Sequence, residues 1–114
     1  MVTPSIGAVV LVPFPFSDLS QSKLRPAVVL ANAGKGDFVL CQITSKAYAD
    51  ERAVELNDAS FSKGSLRVVS YVRPAKLFTA NHGLLVSHVG ELTKDSLKRI
   101  VDAVVELLRE GLKT

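Results

Sequence analysis

SKLRPAVVLANAGKGDFVLCQITSK, residues 22–46, decides the class of fold. Within it, Ala27–Ala31 (AVVLA) starts directly after Pro26 and is rich in valine. Phe38–Thr44 (FVLCQIT) begins apolar and then alternates Cys41 and Ile43 against Gln42 and Thr44. A period of two is the mark of a strand with one buried face. The intervening NAGKGD, residues 32–37, supplies the Asn, Gly and Asp that turns demand. Outward in both directions the same grammar continues. Ile6–Pro13, Ala53–Leu56, Leu66–Val72 and Leu84–Val89 read as strands, while Asn57–Gly64 and Asn81–Gly83 carry turn chemistry.

The period changes once. Leu97, Ile100, Val101, Val104, Leu107 and Leu108 follow helical spacing and form a stripe suited to core packing. Thr93 is placed to cap this helix, Asp95 lies in its first turn and Gly111 can end it. With 114 residues there is room for one core, so the expectation is a single domain, residues 1–114. Its class is mostly β (α+β), a small barrel-like sheet closed by a C-terminal amphipathic helix.

Composition narrows the function classes. An apolar share of 47% and a charged share of 22% describe a folded, water-soluble chain. No apolar run is long enough to span a bilayer and the N-terminus lacks the cationic start of a signal peptide, so a cytoplasmic location is expected. The single cysteine, Cys41, sits between apolar neighbours and reads as a buried hydrophobe. There is no HExxH motif, acidic triad or Cys/His set, so neither a metal nor another cofactor is expected. From residue 91 onward five basic and five acidic residues balance, so the net charge of +3 resides in residues 1–90. That excess is compatible with a polyanionic partner.

One stretch does not fit simple packing. PFPFSDLSQSKLRP, residues 13–26, sets aromatics, prolines and polar groups between two apolar strands. As a connection it is long enough to suggest a functional flap, with Phe14 and Phe16 at its base and Ser17–Lys23 projecting.

Taken in order, Gly7, PFPFSD (13–18), SKLRP (22–26), AVVL (27–30), QITSK (42–46), SYVRP (70–74) and VGELT (89–93) resemble the MazF/PemK family of ribonuclease toxins. The resemblance extends from about Gly7 to Leu108. It implies an SH3-like, plasmid-maintenance-toxin barrel acting as a homodimer that cleaves single-stranded RNA, mRNA above all. It also implies a cognate antitoxin, which docks a disordered segment across the RNA groove and whose complex with the toxin binds DNA. The catalytic residues so implied are Arg25 and Thr44, with Phe16, Ser17, Lys23, Gln42, Ser45, Lys46 and Arg73 as substrate-binding candidates. Many members carry an acidic residue where this chain has Ala8.

The chemistry agrees with that implication. RNA holds its own nucleophile, the 2′-OH, so cleavage needs charge stabilisation and proton transfer but no metal. A guanidinium offers a planar fork of donors to a phosphate at any working pH, and Thr44 adds a neutral hydroxyl. Such a donor commonly contributes roughly 3–4 kcal/mol to a transition state. Lys23, Lys46, Arg52 and Arg73 are the cations available for phosphate contact, and Phe14, Phe16 and Tyr48 the rings available for stacking. Two other readings remain. His82 and His88 would serve acid–base cleavage if they met, and a non-catalytic toxin or a degenerate binder of RNA or antitoxin would share the barrel.

Overall fold

The computed structural model describes residues 4–15, 22–46 and 50–113, with the side chains of Phe14, Pro15 and Ser22 also outside the description. Seven strands form one antiparallel sheet: β1 (Ala8–Pro15), β2 (Ser22–Gly34), β3 (Asp37–Thr44), β4 (Val54–Leu56), β5 (Phe61–Gly64), β6 (Ser70–Asn81) and β7 (Ser87–Leu92). Their order across the sheet is β4-β6-β3-β2-β1-β7-β5, and α1 (Lys94–Glu110) follows. The seven strands curl into a nearly closed barrel, as the sequence leads one to expect.

Both faces of the central strands are buried, which is why β1–β3 are so continuously apolar. On one face Val9, Val28, Cys41, Ile43, Val72 and Leu56 meet Leu92 and Ile100, so the helix seals this side. On the other, Ala8, Val10, Val12, Ala27, Val29, Phe38, Leu40 and Ala80 form a second cluster. The connection from β6 to β7 closes over it. His82 donates its backbone N–H to Gly36 O at 2.8 Å, Val86 donates to Leu11 O at 2.9 Å, and Leu85 packs on the cluster between them.

The helix begins as its sequence predicts. Thr93 Oγ1 accepts the Ser96 N–H at 3.2 Å, and Asp95 lies in the first turn. Gly111 ends the helix in the right-handed region, at φ −64°, and so uses none of glycine's special freedom. Ile100 and Val104 are buried and Leu97 and Leu107 half-buried, but Val101 and Leu108 are 37% and 63% exposed. The apolar stripe is therefore wider than the surface it packs on.

Three local readings are corrected. The β1–β2 pairing runs out to Pro15↔Ser22, so the connection is residues 16–21 and not all of 13–26. Pro13 and Pro15 are tolerated in β1 because its pairing with β7 stops at Leu11, leaving one edge without ladder partners. The turn chemistry of 57–64 covers only its first half: Asn57 caps a short 3-10 turn, and Phe61–Gly64 pairs with β7 as a strand. The strand expected at Leu66–Val72 starts only at Ser70, after Arg67 adopts a left-handed φ of +68°, and it continues to Asn81. Within it the register with β3 slips, from Ile43↔Val72 to Cys41↔Leu77, so that residues 73–76 bulge opposite Gln42.

Candidate functional site

Strand alternation sorts the candidate residues. Val28 on β2 and Ile43 on β3 point to the helix side, so Arg25 and Ala27, Gln42 and Thr44 point to the opposite face. The β2–β3 ladder pairs Ala27 with Gln42 and goes no further, ending where Pro26 has no N–H to donate. Arg25 and Thr44 lie two residues beyond the last rung, in phase with it and so on the same face, although the ladder itself does not reach them. Arg25 is half-buried and Thr44 9% exposed. The Thr44 Oγ1 accepts the Lys46 N–H at 3.2 Å, which fixes the rotamer and leaves the hydroxyl proton to be donated elsewhere.

Lys23, two positions from Arg25, shares its face and is exposed. Gln42 is half-buried on the Thr44 face, and Ser45 and Lys46 are exposed just past the end of β3. Arg73 follows Val72 at the start of the β6 bulge, where its Nε lies 3.4 Å from Asp50 Oδ2. Its backbone carbonyl accepts the Cys41 thiol at 2.9 Å. Arg25, Lys23, Gln42 and Thr44 are thus brought to one face, with Ser45 and Lys46 at its margin. Phe16, Ser17 and Tyr48 lie outside the described residues, as does the Phe14 side chain. Arg52 is turned away from this face: its guanidinium pairs with Glu110 at the end of the helix.

The histidines do not converge. His82 is held at the β2–β3 turn through Gly36, whereas His88 pairs with Val10 in mid-sheet and lies 3.9 Å from Glu91. Among the described residues no group of three or more His, Cys, Asp or Glu is placed to hold a metal ion, and no helix is long and apolar enough to cross a membrane. Cys41 is inert by environment, since burial pushes its thiol up to about 12. Ala8 is fully buried beside Val10 and Ala27, so an acid at this position would enter an apolar cluster.

Two neighbours escaped the sequence reading. Thr44 pairs with Tyr71 on β6, and Tyr71 pairs with Glu55 on β4. Because Val72, Val54 and Leu56 face the helix side, Tyr71 and Glu55 face the Arg25 side. Thr44, Tyr71 and Glu55 therefore form one cross-strand row over β3, β6 and β4, and Val12 pairs with Arg25 on the same face. Their strand phases were readable; which strands are neighbours was not.

A family model described as PemK-like, MazF-like toxin of type II toxin–antitoxin system matches residues 5–108. Among solved structures, MazE–MazF from Deinococcus radiodurans (Form II) aligns with a TM-score of 0.76 at 22% identity, covering 95% of this chain and 97% of that one. An endoribonuclease in complex with its cognate antitoxin, from a mycobacterial species, aligns at 0.69 with 20% identity, covering 95% of each chain. The Mycobacterium tuberculosis toxin MazF-mt6 aligns at 0.65 with 14% identity over 87% of this chain and 95% of that one. No curated protein matches the sequence.

Proposed function

The chain belongs to the PemK-like, MazF-like toxins of type II toxin–antitoxin systems, and from that premise we propose that it is a metal-independent endoribonuclease. Its substrate is single-stranded RNA, mRNA in the cell, cut at preferred sequences by attack of the 2′-OH on the adjacent phosphate. Inhibition of translation and growth follows. The observation that supports the reading is that Arg25 and Thr44 face the same side of β2 and β3, together with Lys23 and Gln42 and with Ser45 and Lys46 at the margin.

In this mechanism the Arg25 fork braces two phosphate oxygens and stabilises the charge that develops on them. The Thr44 hydroxyl donates to the same group from the next strand. The 2′-OH gives its proton to water as the P–O2′ bond forms and the P–O5′ bond breaks, leaving a 2′,3′-cyclic phosphate and a 5′-hydroxyl. A guanidinium, poorly matched to proton transfer near neutrality, serves first in electrostatic stabilisation and second in protonating the 5′-oxygen. Turnover is accordingly slow, which a growth inhibitor tolerates. Lys23 and Lys46 hold flanking phosphates, and Arg73, oriented by Asp50, approaches from the β6 bulge.

The working unit is a cytoplasmic homodimer of this single domain, with RNA along its interface and a cognate antitoxin competing for the groove. A solved relative that carries its cognate antitoxin supports the last point by analogy of fold. Incubation of the purified protein with a mixed RNA in excess EDTA tests the activity. Discrete fragments are expected. Intact RNA would instead favour a non-catalytic toxin or a degenerate binder.

A further inference from the structure

The row that contains Thr44 continues onto β6 and β4, and its far end has chemistry that phosphate binding does not use. Tyr71 is half-buried with its ring on the Arg25 side, and Glu55 is exposed beside it. Among the described residues, neither the Tyr71 hydroxyl nor the Glu55 carboxylate is engaged in a hydrogen bond or ion pair. A carboxylate facing a bound polyanion is repelled unless the ligand brings donors of its own.

Distance separates the roles open to Glu55. It stands two strand spacings from Thr44, about 10 Å. A general base must come within about 3 Å of the proton it removes, and a glutamate side chain spans only part of that gap. Glu55 thus stands farther from a phosphate held beside Thr44 than from the neighbouring Tyr71 ring. It is in range of a base laid on the Tyr71 ring between them.

We infer that Tyr71 and Glu55 form a base-reading subsite selective for guanine in the nucleotide next to the scissile phosphate. This rests on the RNA-cleaving reading of the Arg25 face. The Tyr71 ring supplies a stacking platform, a mode typical of single-stranded RNA recognition. The ionised Glu55 is acceptor-only with two oxygens. Guanine presents two adjacent donors on its Watson–Crick edge, N1–H and the 2-amino group, and so fits both oxygens. Adenine and cytosine set one amino group beside a ring nitrogen whose lone pair opposes the carboxylate. Uracil offers one N–H between two carbonyls.

The test uses the intact protein and short 2′-O-methyl oligonucleotides, which lack the nucleophile, carrying guanosine, inosine or adenosine at a single position. Inosine lacks the 2-amino group and removes one of the two hydrogen bonds. Guanosine is expected to bind roughly tenfold tighter than inosine, about the value of one hydrogen bond to a charged group. Glu55→Gln should abolish that preference, Tyr71→Phe should keep it, and Tyr71→Ala should weaken all three ligands together. Equal binding of guanosine and inosine by the wild type, or a preference that survives in Glu55→Gln, overturns the subsite. Parallel cleavage of natural RNA keeps the two readings apart. A guanosine preference with uncut RNA retains the subsite and removes the nuclease, cleavage without base preference does the reverse, and no binding at all removes both.

Discussion

Gly64 and Gly90 face each other across the β5–β7 seam with no room for a methyl group between them. A Cβ on Gly90 would lie 2.5 Å from the Lys63 carbonyl oxygen and 3.2 Å from Gly64 Cα. One on Gly64 would lie 2.7 Å from Gly90 Cα, at a φ of +70° that disfavours any side chain. Backbone cannot yield as a flexible side chain does. Gly90→Ala should therefore destabilise the fold by about 1–3 kcal/mol, read as a lowered midpoint in urea. An unchanged midpoint would mean that the seam opens freely.

Arg25→Ala should reduce cleavage by roughly 100- to 1,000-fold, as for loss of one well-placed donor to developing charge. Its circular dichroism spectrum and thermal midpoint should match those of the parent. Arg25→Lys should recover little, because an ammonium replaces a two-pronged contact by a point charge. An alanine variant that fails to fold would make Arg25 a structural residue.

RNA binding should weaken steeply with salt. On the proposed reading, Lys23, Arg25 and Lys46, on or beside one face, would supply three phosphate contacts per chain. Each contact adds about 0.7 to the slope of log affinity against log salt for a single strand. Titration of a labelled RNA at several salt concentrations measures that slope, and Lys23→Ala should lower it by one contact. A flat response would exclude this face as the groove.

The Cys41 thiol provides a pH signature. Burial raises it from the ordinary 9.0 to about 12, so between those values the unfolded chain has lost a proton that the native chain retains. The unfolded state then binds fewer protons, and stability falls as pH rises across the window, by at most about 1.4 kcal/mol per unit. Below pH 9 the contribution is fully present. Urea titrations at increasing alkaline pH should show this decline in the parent and less of it in Cys41→Ala. Identical profiles would dismiss Cys41 as the source.

The strands that sequence periodicity located best are those buried in a regular ladder. Ala27–Ala31 and Phe38–Thr44 both fall inside β2 and β3. β6 eluded the same template because its phase changes midway: Val72 and Leu77 both join the helix-side cluster although five residues apart. Residues 73–76 absorb that change, and a strict alternation test rejects any strand that crosses them. Phe61–Gly64 was missed for a different reason, since its partner is the distant β7 and its own four residues carry little apolar content. Arg25 and Thr44 were singled out through a resemblance, with nothing in their own strands to bring them together. Their common face follows from strand phase, whereas the adjacency of Thr44, Tyr71 and Glu55 is a property of register, which depends on which strands pair.

Among the described residues, β1 beyond Leu11 and β2 before Ala27 pair only with each other. Val12–Pro15 and Ser22–Arg25 make a two-stranded ribbon, an arrangement of marginal stability in water on its own. Arg25 sits at its root, where the ribbon meets the barrel. Amide hydrogens at residues 12, 14 and 22–25 should exchange with solvent well before those of 27–29. A ligand that grips the outer ribbon, nucleic acid or protein, would therefore stiffen the segment from which Arg25 projects, a hand on the tip of a lever with the guanidinium near its pivot.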